Sequence, residues 1–225
     1  MKVFHQIKQV ASYLMGERPS ASFIMLTLTV PNIHKDDLPA TITHMMESYH
    51  RLFRRAEVKK ATLGWFRSLE ITKEKRSREH YFHPHFHVLI AVPSSYFSTN
   101  YISKNRWLDL WREATRQDEI TQVDVRKIKP NKKGVREGLL STNLEGGSSH
   151  ASIAGAAAEV GKYATKPSDY ISKDKENKYV ADADTVNILA GSLHGTRIIA
   201  WGGILKKIKT QLSLDDVGSE NADLI

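Results

Sequence analysis

Along the chain, hydrophobic and polar positions alternate with two different periods. Residues 3–15 place Phe4, Ile7, Val10, Ala11 and Leu14 at helical spacing, predicting an amphipathic helix. Phe23 to Val30 is apolar on both faces and stops at Pro31, the pattern of a central strand. Leu38, Ile42, Met45, Met46, Tyr49, Leu52 and Phe53 form a stripe over a helix at about 38–56, which Asp36 or Asp37 can cap. Gly64 to Thr72 reads as a second strand, Lys73 to His80 as a charged loop and His85 to Val92 as a third strand, making a long-looped hairpin. Trp107, Leu110, Trp111 and Ala114 mark a helix over about 104–117, and Gln122 to Ile128 alternates as a fourth strand. Pro130 to Ser149 is polar and Gly-rich, a loop or disordered arm. An Ala-rich helix follows over about 150–165 and stops before Pro167. A weaker helix near 182–193 precedes a fifth strand at Arg197 to Trp201, which Gly202-Gly203 breaks, and a short basic helix runs to about 212. These elements predict an α+β fold: a central antiparallel sheet of about five strands with helices packed on it. No repeat or interdomain linker interrupts residues 1–212, which are read as one domain. Residues 213–225 are read as an acidic, disordered tail.

Composition narrows the function classes. Hydrophobic residues make up 40% of the 225, enough for a self-stabilising core. No apolar run approaches the roughly 18 residues of a membrane span, and Met1 to Gln6 lacks the apolar block of a secretory signal. There is no cysteine, which excludes disulfides and thiolate ligands; a cytoplasmic setting is expected. Net charge is +8, and the last fifteen residues carry four acidic groups and no Lys or Arg. The remainder thus holds 33 basic against 21 acidic groups, a field that favours a polyanion such as nucleic acid and no membrane partner.

The most specific chemistry lies in His83-Pro84-His85-Phe86-His87. On a strand, residues two apart share a face, so His85 and His87 would project together roughly 6.6 Å apart at Cα. Two neutral imidazoles converging in this way begin a divalent metal site, although a metal-free histidine cluster has the same pattern. A cupin would add an acidic ligand a few residues on, where Ala91 and Val92 stand. A metallo-β-lactamase type needs an Asp-His soon after the pair, and an amidohydrolase barrel needs a longer chain. Glu70, in the preceding strand, is the remaining candidate, since facing Cβ atoms in a hairpin approach to roughly 5 Å. Two imidazoles and a carboxylate leave positions open for a phosphodiester oxygen on Mg or Mn. His83 is a candidate extra ligand; Thr29 is read as structural.

A second constellation is Glu159-Val160-Gly161-Lys162-Tyr163-Ala164-Thr165-Lys166. On a helix Glu159, Tyr163 and Lys166 share a face. A tyrosine oxygen can attack phosphorus, a lysine can neutralise phosphate charge, and a carboxylate one turn away can activate the phenol or a later water. An exposed helix with a Glu–Lys pattern and one tyrosine would look the same.

Taken together, these residues resemble the HUH endonucleases, named for two histidines around a hydrophobic residue, here His85-Phe86-His87, and more narrowly the plasmid rolling-circle replication initiators. Phe23 to Asn32 resembles the first motif, Leu-Thr-Leu-Thr-Val-Pro-Asn. Glu70 with His83 to Val92, Tyr96-Phe97 and Asn100-Tyr101-Ile102 resembles the metal block, and Glu159 to Asp169 the nucleophile block. The match covers about residues 22–170. The resemblance implies an RRM-like sheet carrying the histidines and a tyrosine on a packed helix. It implies metal-dependent nicking of single-stranded or hairpin DNA at a plasmid double-strand origin, in contact with host replication machinery. Tyr163 would attack the scissile phosphate, Glu159 would activate water at termination, Lys166 would contact phosphate, and His85, His87 and Glu70 would hold Mn or Mg. Lys162 projects to another helix face and is a weaker DNA contact.

Relatives of this type often carry a cysteine-rich stretch before the first strand; this chain has none, so a trimmed form or a lineage without it is expected. Tyr170 follows Pro167 and ranks below Tyr163 as nucleophile. Lys73, Arg76 and Arg78, and Arg126 and Lys127 onward to Arg136, are candidate DNA contacts, although charge runs are commonly just solvated. A transposase or relaxase of the same superfamily, and a non-enzymatic basic nucleic-acid-binding domain with structural histidines, remain open alternatives.

Overall fold

The computed structural model describes residues 2–74, 80–128, 157, 171–173 and 179–214. Among them, α1 (Lys2–Glu17), β1 (Ser22–Thr29) and a short β2 (Ile33–His34) lead into α2 (Leu38–Arg54) and α3 (Ala56–Ala61). The hairpin strands β3 (Gly64–Lys73) and β4 (Tyr81–Val92) follow, then α4 (Lys104–Thr115) and β5 (Val123–Ile128). A separate ribbon, β6 (Ile171–Lys173) with β7 (Tyr179–Ala181), precedes α5 (Ala183–Leu193), β8 (Ile199–Gly202) and α6 (Gly203–Gln211).

The main sheet is antiparallel and α+β as expected, ordered β5-β1-β4-β3-β8, with β2 added beside β4 as a sixth strand. Both faces are covered, which is why β1 and the C-terminal part of β4 are apolar on both sides. One face buries Ile24, Leu26, Leu28, Leu69, Phe86, Val88 and Ile90 against α2 and α4, with α5 at its margin. The other buries Phe23, Met25, Phe66, Leu89 and Ala91 against α1 and α6, and Ala157 is buried in the same cluster. No helix among the described residues is long and apolar enough to cross a membrane.

Several boundaries differ from the sequence reading, among them the fifth strand, which runs Ile199–Gly202 rather than Arg197 to Trp201 and so includes Gly202. β4 begins at Tyr81 rather than His85, so His83 and Pro84 lie within it. Proline is tolerated because β1 pairs with β4 only as far as His85, while β2 takes over at Phe82; Pro84 falls at the break. The helix predicted over 38–56 ends at Arg54, where Arg55 turns extended (φ −65°, ψ 139°) and α3 restarts to bury Val58 and Ala61. β3 runs on to Lys73, at the start of the predicted loop. Asp37 occupies the N-cap position of α2 without a side-chain capping bond. The Ala-rich helix lies outside the described residues apart from Ala157, which is helical. The Gly-rich arm, and the acidic tail from residue 215 onward, also lie outside them.

Candidate metal centre

Register builds the site. β4 pairs with β1 and β3 so that His87 stands between Thr27 and Ser68, and His85 between Thr29 and Glu70. Period-two alternation puts all six side chains on the α1/α6 face. Further along the same strands that face carries Met25, Leu89 and Phe66, then Phe23 and Ala91. The face is therefore divided: an apolar half that helices cover, and a polar half centred on the histidines.

His85 Nε2 lies 2.5 Å and His87 Nε2 2.9 Å from the same Oε2 of Glu70. Glu70 and His87 are buried and His85 half-buried, and their ligand atoms lie within 4.8 Å of one another. The outer ring nitrogens are also engaged. His85 Nδ1 sits 3.1 Å from the His83 carbonyl, and His87 Nδ1 3.4 Å from Thr27 Oγ1. A carbonyl can only accept, so His85 Nδ1 donates; its Nε2 would offer a lone pair to a bound cation, and without one a proton on Nε2 bonds the Glu70 carboxylate. Such a donor set repels itself unless a cation or protons sit among it. Burial raises the Glu70 pKa, but hydrogen bonds from both imidazoles outweigh this and hold the carboxyl at about 2. Ser68 Oγ, opposite His87, is buried without a partner among the described residues. The residues fit a divalent ion of the kind that takes imidazole and carboxylate ligands.

His83 stands apart from this set. Its Nε2 is bonded to Thr29 Oγ1, and its ring lies 5.4 Å from that of His85. Burial, reinforced by the adjacent His85, lowers its pKa. Of the candidate DNA contacts, Lys73 bonds Asp182 and Thr185 at 2.7 Å each. Arg126 pairs with Asp124, and Lys127 lies 3.9 Å from the ring centre of Phe97. Tyr163, Glu159, Lys166, Lys162, Arg76 and Arg78 lie outside the described residues. Thr27 as the partner of His87 was not singled out from sequence, and Thr29, read there as structural, is the partner of His83. Their signal was present in Leu26-Thr27-Leu28-Thr29, where the threonines share the parity of Phe23 and Met25.

A protein called Protein rep from Streptococcus pneumoniae serotype 2 (strain D39 / NCTC 7466) is 37% identical across the whole chain, which covers 62% of that protein. Protein rep of Lactiplantibacillus plantarum is 36% identical across the whole chain, 65% of its own length. A Replication protein of Staphylococcus aureus is 28% identical, with 87% of its length covered. The chain thus spans less than two thirds of the first two relatives. No solved structure matches it. The model of a family described as Replication protein matches residues 1–225, so the chain belongs to the replication protein family.

Proposed function

We propose that this chain carries the DNA-nicking and -joining activity of a plasmid rolling-circle replication initiator, acting on single-stranded or hairpin DNA at the origin. The observation that carries the reading is the convergence of Glu70, His85 and His87 on the polar half of a sheet face in a chain of this family. Those three residues would hold the ion, Mn or Mg, which when bound would polarise a phosphate oxygen as a Lewis acid.

In the proposed reaction the Tyr163 phenol oxygen attacks the scissile phosphorus as its proton leaves. A P–Oη bond forms, the P–O3′ bond breaks, and the departing 3′ oxygen takes up a proton to become a hydroxyl that a polymerase can extend. The 5′ phosphate remains on Tyr163, conserving the energy of the broken ester for rejoining. Lys166 neutralises charge on the phosphate. Glu159 takes a proton from water at termination; the water oxygen bonds phosphorus, the P–Oη bond breaks, and the departing Tyr163 oxygen takes up a proton. Glu70 with its two imidazoles and the basic excess of the chain divide the work: the first would hold the cation, the second draws in the DNA.

The test uses single-stranded DNA containing the origin of the replicon that encodes the chain, with Mn²⁺. A covalent protein–DNA adduct is expected, and Tyr163→Phe is expected to abolish it. An adduct that survives this substitution removes Tyr163 as nucleophile. No adduct with any metal, alongside salt-sensitive DNA binding, favours the non-enzymatic reading instead.

A further inference from the structure

The face of the sheet opposite the histidines holds a second polar feature. Trp65 and Arg67 alternate with Phe66 and Ser68 on β3 and so point away from the metal centre. There they line a pocket of about 430 Å³ together with Thr43, Met46 and His50 of α2 and Arg197 ahead of β8. The volume lies at the lower end of the ~300–1,000 Å³ range of small-molecule sites.

Arg67 is only 3% exposed, yet among the described residues no carboxylate lines this pocket or pairs with it. Its guanidinium is wedged between the Phe86 ring (4.7 Å) and the Tyr49 ring (5.1 Å). Nη2 donates to the Arg197 carbonyl at 2.9 Å, and Nη1 meets only the Met46 thioether, at 2.7 Å. Sulfur is a weak acceptor, and a buried charge without an anion is costly. Arg67 Nε and the Tyr49 hydroxyl are both buried without a partner among the described residues. The charged side chain beside Arg67 is another cation, Arg197, and burial and this neighbour both lower the Arg67 pKa. Donors and cations are thus gathered without an anion among the described residues. Trp65 adds an aromatic wall; its ring lies over Gly202 and edge-on to Tyr49.

We propose that this pocket binds a nucleotide, with Arg67 beneath its phosphate, Arg197 and His50 at the rim, and the base against Trp65. Met46, unbranched and flexible, gives way to let an oxyanion reach Nη1. The phosphate belongs either to a free nucleotide or to a nucleotide within a DNA strand. This site is separate from the metal centre, and it stands whether or not Tyr163 proves to be a nucleophile.

The test is calorimetric titration of the full chain in excess EDTA, which silences the metal centre. Thymidine 5′-monophosphate is expected to bind, inorganic phosphate more weakly, and thymidine not at all. The double variant Arg197→Ala/His50→Ala, altered only at exposed positions and checked for an unchanged melting temperature, is expected to weaken thymidine monophosphate binding at least tenfold. Displacement of the mononucleotide by a short oligothymidylate without terminal phosphates identifies a strand as the source; no displacement identifies a free nucleotide. An absence of binding by the mononucleotide at millimolar concentration, or affinity unchanged in the folded double variant, overturns the proposal and leaves Arg67 as a structural wedge between two rings.

Discussion

Glu70 and His85 are directly paired across the β3–β4 ladder, and the Glu70 oxygen that meets His85 Nε2 also meets His87 Nε2. One carboxylate thus holds both imidazoles, and removing its charge should disable the whole set. Wild-type protein titrated with Mn²⁺ is expected to gain stability, by about 2.7 kcal/mol when the ion is at one hundred times its Kd. Glu70→Gln keeps the side-chain shape and is expected to lose most of that gain, with apparent Mn²⁺ affinity down at least tenfold. Thermal melts with and without Mn²⁺ decide it; an equal metal-induced shift in the variant removes Glu70 from the ligand set.

Thr27 acts one step further out. Its hydroxyl is the partner of His87 Nδ1 and cannot be a ligand itself, because it stands on the far side of the ring. Losing an outer partner of a ligating histidine costs about 10–100-fold in metal affinity or activity. Thr27→Val, equal in size, is expected to weaken Mn²⁺ binding within that range while leaving metal-free stability nearly unchanged. Metal titration of the folded variant checks it, and an unaltered affinity would show that Thr27 does not orient His87.

Glu159 tests the division of labour proposed around Tyr163. With Glu159→Ala, the first cleavage and the covalent adduct are expected to persist while hydrolytic release of the bound strand falls by about 10²–10⁴-fold, the usual contribution of a general base. Single-turnover cleavage measured beside adduct decay separates the two steps. Equal loss in both would mean that Glu159 serves the phenol rather than the water.

The strands and the metal triad were legible because period-two alternation is a strong signal. His85 and His87 share a parity, and a hairpin brings Glu70 opposite them once Gly64–Lys73 and Tyr81–Val92 are paired. The helical stripes of α1, α2 and α4 were legible for the same reason at period 3.6. What was missed depended on contacts between distant segments. β2 has two residues and exists only because it finds Tyr81 and Phe82. The break at Arg55 follows from where Val58 and Ala61 must be buried. Lys73 looked like a loop cation available to DNA, yet it is bound to Asp182, 109 residues away. Arg67 gives no sequence signal beyond being one of several charged or polar positions in β3.

The Lys73–Asp182 pair fastens the start of α5 to the end of β3. Asp182 also caps α5, accepting from the Thr185 backbone N–H at 3.1 Å and the Thr185 hydroxyl at 2.8 Å. The hydrogen bond from Lys73, then those from Thr185, hold the Asp182 carboxyl well below the ordinary aspartate range. A carboxyl depressed in the folded state contributes stability that is complete above the unfolded value, ~4, and is lost as pH falls below it. Asp182→Ala is expected to cost about 1 kcal/mol at pH 7, and the gap to wild type should close as pH falls below ~4. Asp182→Asn, which still caps, should lose less at pH 7 and also flatten the acid dependence. Denaturant melts at pH 7 and pH 3 check both; a gap that widens in acid would contradict the assignment.

Gly64 fixes how closely α6 approaches the sheet. A Cβ at this position would lie 2.7 Å from the Leu205 backbone nitrogen and 2.8 Å from both the Gly202 oxygen and the Ile204 nitrogen. All three are backbone atoms, which cannot swing aside as a side chain would. The contact matters because Leu205 and Ile208 of α6 close the apolar half of the face whose other half holds Glu70, His85 and His87. Gly64→Ala is therefore expected to destabilise the fold by about 1–3 kcal/mol, the usual range for overpacking. Gly16→Ala, with nothing within 4 Å of the added methyl, serves as the control and should be neutral or slightly stabilising. If Gly64→Ala melts at the wild-type midpoint, α6 can shift away from β3 at no cost, and the close seating of that helix is not what holds this face of the sheet together.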